Sequence, residues 1–349
     1  EPRGSTPRSA PVPSPRQKIV KALLRLTGPV ILVLVVASLD DPGALWRSFT
    51  ACDPWLLVLA MTLNVFVVHL RVVRWQQLLE GRGIHYATGR AWLSYLTSAY
   101  LALLTPGRVG DLLRVQYLRR ERDVPYPEGL ASVVMDRFAD LYVLAAFVAV
   151  AAVHYGPILA GELAWATWAC VFGTLVGPLV FLLPGVPERV FLPVFRKVGN
   201  SGEGFELFLS ALRAQLRLGM IARVLPVTLG AFFVNYAQGW LISEAMGIHL
   251  PFFDVVCLLA IASLLGLLPI SVSGVGVREA FFALLFPALG LAAEQGVTYG
   301  LLVLGVLYLV TTLAGFVAWQ VAPPPTGSVE AATGVPVGGE NLAADEPKS

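Results

Sequence analysis

Six apolar stretches, at roughly 19–39, 54–79, 128–153, 162–183, 224–246 and 297–321, are each long enough to cross a bilayer as a helix. About 20 apolar residues at 1.5 Å each cover the ~30 Å hydrocarbon core. A chain that repeats this feature six times has few alternatives to a helical membrane bundle. Composition agrees, because 56% of the 349 residues are hydrophobic, only 14% are charged, and the mean hydropathy is +0.71. A soluble domain carries about 25% charged residues, and so few charges could not cover so much apolar surface in water. Soluble enzymes, nucleic-acid binders and secreted disulfide scaffolds are thereby excluded, and the fold class read here is an all-α polytopic membrane protein.

Two further apolar segments are broken. Residues 89–118 contain Thr105-Pro106-Gly107-Arg108-Val109-Gly110-Asp111, and residues 252–290 contain Pro269-Ile270-Ser271-Val272-Ser273-Gly274-Val275-Gly276. Proline and glycine break helices most strongly, so each segment reads as two short arms around a break. Charge decides how they thread. If both are re-entrant hairpins, twenty Lys and Arg side chains, from Arg3 to Arg223, lie on the cytoplasmic side and only Arg47 lies outside. Threading 89–104 as a simple span would export Arg114–Arg122 and the 189–223 cluster, against the positive-inside rule. The pattern predicts six full spans plus two oppositely oriented re-entrant broken-helix hairpins, an inverted repeat with its breaks meeting near the midplane. Residues 1–18 read as a disordered basic cytoplasmic tail, 19–321 as the transmembrane domain, and 322–349 as a second disordered cytoplasmic tail.

A charge at the bilayer centre costs ~3 kcal/mol or more, so ionisable residues at depth are partnered, functional or both. Arg108, Asp111 and Arg114 follow the first break at three-residue spacing and share a helix face. They either pin the hairpin as an Arg–Asp staple or, with a helix N-terminus beside them, attract an anion such as a phosphate. Asp136, Arg137 and Asp140 lie in the 128–153 stretch, with Asp136 and Asp140 on one face; Arg108 and Arg114 are their expected partners. At the second break Ser271, Ser273, Gly274 and Gly276 permit close backbone approach, and Ser271 or Ser273 is positioned to cap the second arm. Arg278 and Glu279 then mirror Arg108 and Asp111. The alternative there is a tight turn filled by small residues.

Other residues carry weaker signals. Cys52, Cys170 and Cys257 have no ligand spacing, and the four histidines lie far apart, so no metal or cofactor is expected. Asn64, Asn235, Gln238 and Glu244 either line a cavity or join helix to helix. Trp46, Trp75, Trp92 and Tyr117 fit interfacial belts. The 205–217 segment places Phe205, Phe208, Leu209, Leu212 and Leu216 at helical spacing, for a helix lying on the cytoplasmic face of the membrane or one packed on the protein.

These blocks together resemble the lysylphosphatidylglycerol synthase transmembrane, or flippase-like, family. Leu104-Thr-Pro-Gly-Arg-Val-Gly-Asp-Leu-Leu-Arg114 resembles its P-x-R-x-G-E-x-x-R block, and Met135-Asp-Arg-Phe-Ala-Asp140 its E-R-x-x-D block. Leu268 to Glu279 resembles its L-P-i-s-x-G-G-x-G-x-R-E block, and Arg74-Trp75 matches an R-W near the end of the second span. Asp111 and Asp136 stand where Glu is usual, and Ser273 replaces the first glycine of a pair. The resemblance implies a bacterial or archaeal plasma-membrane protein that moves lipid across the bilayer. It also implies no lipid aminoacylation by this chain, since a soluble aminoacyltransferase domain is not seen in it.

The resulting expectation is a lipid translocase for an anionic or aminoacylated phospholipid or a polyprenyl-linked glycolipid. The binding residues would be Arg108, Asp111, Arg114, Asp136, Arg137, Asp140, Ser271, Ser273, Gly274, Gly276, Arg278 and Glu279. Its partners would be membrane lipids, through an anionic head group or lipid phosphate, with a second copy or an envelope-synthesis protein beside it. The rivals are a membrane glycosyl- or phosphotransferase acting on lipid-linked substrates, and a scaffold for envelope lipid synthesis.

Overall fold

A computed structural model describes residues 29–39, 41–105, 110–156, 162–177, 183, 185–187, 189, 202–267 and 274–323. Both tails, Arg108, Ser271 and Ser273 lie outside the described residues. What is described is helical: α1 (29–37), α2 (Pro42–Thr50), α3 (Pro54–Glu80), α4 (Thr88–Leu104), α5 (Leu113–Arg122), α6 (Tyr126–His154) and α7 (Glu162–Val176) in the first part. In the second part come α8 (Gly202–Gln215), α9 (Leu218–Ala245), α10 (Phe252–Leu267), α11 (Val277–Leu285), α12 (Ala293–Val303) and α13 (Val310–Val321). A π-helical segment, Leu304–Leu309, joins α12 to α13 into one continuous rod.

Among the described residues three helices are long and apolar enough to cross a membrane: α3, α9 and the α12–α13 rod. Helix α6 has 29 residues, about 43 Å, but carries Asp136, Arg137 and Asp140. The first and fourth expected spans fall partly outside the described residues. The three spanning helices expose rows of large apolar side chains, including Phe66 on α3 and Phe233 on α9, as a lipid-facing surface requires.

Both broken segments double back. Helix α4 (17 residues) is followed by the break and the ten-residue α5; α10 (16 residues) is followed by its break and the nine-residue α11. At about 15 Å or less, neither short arm can cross the bilayer alone. A Cβ placed on Gly110 would lie 2.2 Å from the backbone nitrogen of Ala102, and one on Gly274 would lie 2.7 Å from the Cα of Gly266. In both halves the glycine after the break therefore rests on backbone eight residues upstream. Gly274 also has φ +74°, which favours glycine. At the open end of the first hairpin, Arg90 on α4 holds Glu121 on α5 at 2.5 Å, and Tyr86 donates to the same carboxylate at 3.0 Å. The two arms thus begin and end at one level.

The amphipathic segment is settled by packing. Phe205, Phe208, Leu209 and Leu212 of α8 are buried against Ala131 and Met135 of α6, with Leu78 and Val224 alongside. Its apolar face lies on the protein.

Candidate functional site

The charged residues of α3, α5 and α6 form one buried network. Asp136, fully buried, accepts from Arg74 Nε at 2.7 Å, from both terminal nitrogens of Arg114 at 3.0 Å, and from Arg137 at 3.1 Å. Asp140 accepts from Arg74 at 2.5 Å and from Arg137 at 3.2 Å. Asp111 lies 3.5 Å from Arg137 Nε. Among the described residues three arginines meet three aspartates, so their formal charges balance. That balance matters, because a buried ion pair is tolerable only while each charge is compensated and its polar atoms are satisfied.

Helical spacing builds this arrangement. Asp136 and Asp140 stand one turn apart and present both carboxylates to Arg74, whose guanidinium bridges them. Arg114 lies between the rings of Trp75 and Tyr95, with its guanidinium carbon 5.1 and 5.0 Å from their centroids. Trp75 is accordingly buried, and its indole nitrogen donates to Ser132 at 3.2 Å. Trp75 and Tyr117, expected in interfacial belts, are both buried within the protein; for Trp75 a cation over the aromatic face is favourable once both are desolvated.

Several expected pairings change. Arg114 does meet Asp136, but the partners of Asp140 are Arg74 and Arg137, and Arg108 lies outside the described residues. Of the expected Arg–Asp staple, Arg114 reaches the Asp111 carbonyl, at 3.5 Å, and the Arg108 side lies outside the described residues. Asp111 lies beside Arg137, while Arg114 is held by Asp136. Arg74, counted by sequence among the cytoplasmic basic residues, is fully buried at the centre. The signal available for it was the Arg74-Trp75 pair.

At the second break, the expected caps Ser271 and Ser273 lie outside the described residues, and among the described residues Gly276 is the N-cap of α11. Gly276 has φ +81°, and its N–H donates to Glu279 Oε2 at 2.6 Å. Glu279 Oε1 holds Arg278 through Nε at 3.3 Å and Nη2 at 3.1 Å. Tyr308, in the π-helical segment, lies under the Arg278 guanidinium at 5.1 Å. Asn64 of α3 donates to Val306 O at 2.7 Å and accepts from Thr311 at 3.2 Å, binding the π segment where its own ladder is irregular. Asn64 and Gln238, which donates to Ala60 O at 2.8 Å, therefore join helix to helix.

Between the two halves lies a cavity of about 70 Å³ lined by Arg71, Asn235, Tyr236, Ser263, Arg278 and Tyr308 among apolar side chains. Arg71 stands one turn before Arg74 on α3, so the cavity adjoins the neutral network. Arg71 had no assigned role in the sequence reading. Among the described residues no three or more His, Cys, Asp or Glu side chains are grouped to hold a metal ion.

The sequence profile of the lysylphosphatidylglycerol synthase TM region matches residues 22–315, a stretch that contains the network, both breaks and the cavity. The chain belongs to that family. This family member is similar, at 22% identity over 331 residues, to a UPF0104 membrane protein of Methanothermobacter thermautotrophicus; the match covers 87% of this chain and 93% of the relative. It is also similar to the glycosyltransferase AglD of Haloferax volcanii, at 28% identity over 133 residues. That match covers 37% of this chain and only 21% of AglD, about a fifth of its length. Family and apolar helices together make this a multi-pass membrane protein.

Proposed function

We propose that this family member is a lipid translocase that passes a lipid with an anionic head group between the leaflets. One observation carries the reading: arginines from both halves of the chain, Arg71 on the long apolar helix α3 and Arg278 on the short arm α11, line one cavity. Such a cavity offers a lipid phosphate its counter-charge away from bulk water, where the alternative is bare hydrocarbon. The two doubled-back segments support an inverted-repeat arrangement with broken helices at the substrate site. The six-span topology, cytoplasmic termini and plasma-membrane location belong to the same reading. Family membership supports work on membrane lipids.

The partial likeness to AglD favours a second reading, a glycosyl- or phosphotransferase acting on a lipid-linked donor. Against it, both oxygens of Asp136 and of Asp140 are engaged by arginines, which leaves neither carboxylate poised as a general base. The test is reconstitution into vesicles carrying a lipid labelled in one leaflet. Translocation predicts protein-dependent exchange of intact lipid that slows in Arg278→Ala. Turnover of a lipid-linked sugar or phosphate without exchange would establish the rival.

A further inference from the structure

We propose that the corner joining α9 to α10 is a pH-sensitive clasp, in which protonated His154 and His249 hold the first arm of the second hairpin against α6. The proposal concerns the fold itself and stands or falls independently of the translocase reading.

Two histidine–carboxylate pairs lie at this corner. His154 Nε2 is 2.9 Å from Asp254 Oδ1, and the Tyr155 hydroxyl donates to the same oxygen at 3.0 Å. This pair ties α6 to α10 across 100 residues of sequence. His249 Nδ1 is 2.7 Å from Glu244 Oε2, which folds the 246–251 connector back onto α9. His249 has φ +45°, a left-handed conformation uncommon for a residue other than glycine, so the connector is a tight, specified turn. The helix ends reinforce the first pair. His154 lies in the last turn of α6 and Asp254 in the first turn of α10. A helix favours a cation at its C-terminus and an anion at its N-terminus, so both dipoles favour the charged form. The His154 ring also packs edge-to-face with Tyr155 and Phe253, at 4.8 and 4.9 Å between centroids.

The charged and titratable groups around the corner are few. Cys257, buried, stands three residues after Asp254 on α10. Asp53, whose N–H donates to Ala245 O at 2.8 Å, uses its carboxylate to cap α3. Glu162 and Glu294 open α7 and α12, the neighbours of α6 and α9, and Arg278 and Glu279 on α11 pair with each other. Residues 244–257 contain no Lys or Arg. The cations available within the corner are therefore the two imidazoles. Their side chains are 41% and 73% exposed, so both exchange protons directly with water.

Histidine is the side chain that ordinarily changes charge between about pH 5 and about pH 8. At the acid end each contact is an ion pair; at the alkaline end it is a neutral hydrogen bond, and the attraction between imidazolium and helix dipole is gone. Closing the clasp and protonating the imidazoles favour each other, which fixes the sign: α10 is held at acid pH and loosened as pH rises. Helix α10 leads into the break and on to Arg278 and Glu279, so the clasp sets how firmly that hairpin is anchored at its mouth.

The test uses the full chain in lipid nanodiscs. Backbone amide exchange of residues 246–258 is followed by mass spectrometry at about pH 5.5 and about pH 8, with labelling times corrected for the chemical exchange rate. Wild type should be at least about threefold better protected at the acid pH; threefold is about 0.6 kcal/mol at 1.36 kcal/mol per factor of ten, the scale of a partly exposed ion pair. His154→Gln keeps a neutral hydrogen bond and should show the weaker protection at both pH values. His154→Arg carries a permanent cation and should show the stronger protection at both. His249→Gln, a change on an exposed connector that leaves folding intact, should reduce the wild-type ratio. Residues 218–230, at the far end of α9, serve as the internal control. Equal protection of the wild-type corner at the two pH values overturns the clasp, and so does the full wild-type ratio persisting in His154→Gln or in His249→Gln. An equally large ratio at residues 218–230 would show loosening of the whole protein and overturn it too.

Discussion

Neutralising Asp136 is the sharpest perturbation the network allows. Its carboxylate is fully buried and accepts from Arg74, Arg114 and Arg137 at 2.7–3.1 Å. Asp136→Asn keeps the shape, removes one negative charge and leaves three guanidinium groups facing two carboxylates. Removing one partner of a buried pair costs about 3–5 kcal/mol, because the remaining charge stays desolvated. At ~2–4 °C per kcal/mol for a larger domain, Tm should fall by roughly 6–20 °C. The assay is thermal unfolding of the purified protein in detergent, followed by loss of the monodisperse peak on size exclusion. The same logic fixes the double variant: Asp136→Asn with Arg114→Gln restores electroneutrality and should be more stable than the sum of the two single losses predicts. A Tm for Asp136→Asn within 2 °C of wild type, or strictly additive losses in the double variant, would refute the claim that charge balance holds this region together.

Three further perturbations test the architecture. Gly110→Ala puts a Cβ 2.2 Å from the Ala102 backbone and should cost about 3 kcal/mol or more, read as lost monodisperse yield; Gly89→Ala, with open space around its Cβ, should be neutral or stabilising by ~0.5–1 kcal/mol. Gly274→Ala meets both Gly266 and a φ of +74°, so its loss should exceed that of any exposed helix glycine, as the same unfolding assay would show. Asn64→Leu removes the side-chain bonds to Val306 O and Thr311 and should cost ~0.6–1.7 kcal/mol, and lipid binding at Arg278 should weaken with it because Tyr308 rides on the same π segment.

Much of this was legible in the sequence, for identifiable reasons. Long apolar runs report directly on helices in lipid, and Pro106-Gly107 and Pro269 mark the breaks because backbone chemistry forbids a regular helix there. The scarcity of charge made Asp111, Arg114, Asp136, Arg137, Asp140, Arg278 and Glu279 conspicuous. Pairing was less legible. Periodicity places Asp136 and Asp140 on one face of α6 but does not say that α3 crosses that face, so Arg74, near the end of the second span, was counted with the cytoplasmic basic residues. Arg71 was missed for the same reason: its place in the cavity depends on how α3 packs against α9 and α11. Serine is the commoner N-cap, so the sequence pointed to Ser271 or Ser273; the role of Gly276, whose N–H Glu279 satisfies from within the helix, could not be read from residue type. For 205–217 the helical spacing was right, and only the packing of Phe205 and Leu212 on α6 could distinguish protein from membrane as the apolar partner.

The central claim is that the two halves of this family member meet on the phosphate of a lipid. The most direct measurement is a cryo-electron microscopy structure in nanodiscs containing a phosphatidylglycerol-type lipid. The account predicts head-group density in the cavity, with phosphate oxygens within hydrogen-bonding distance of Arg71 and Arg278. A cavity closed by side chains, or lipid bound only on the outer surface of the bundle in a preparation that still exchanges lipid between leaflets, would contradict it.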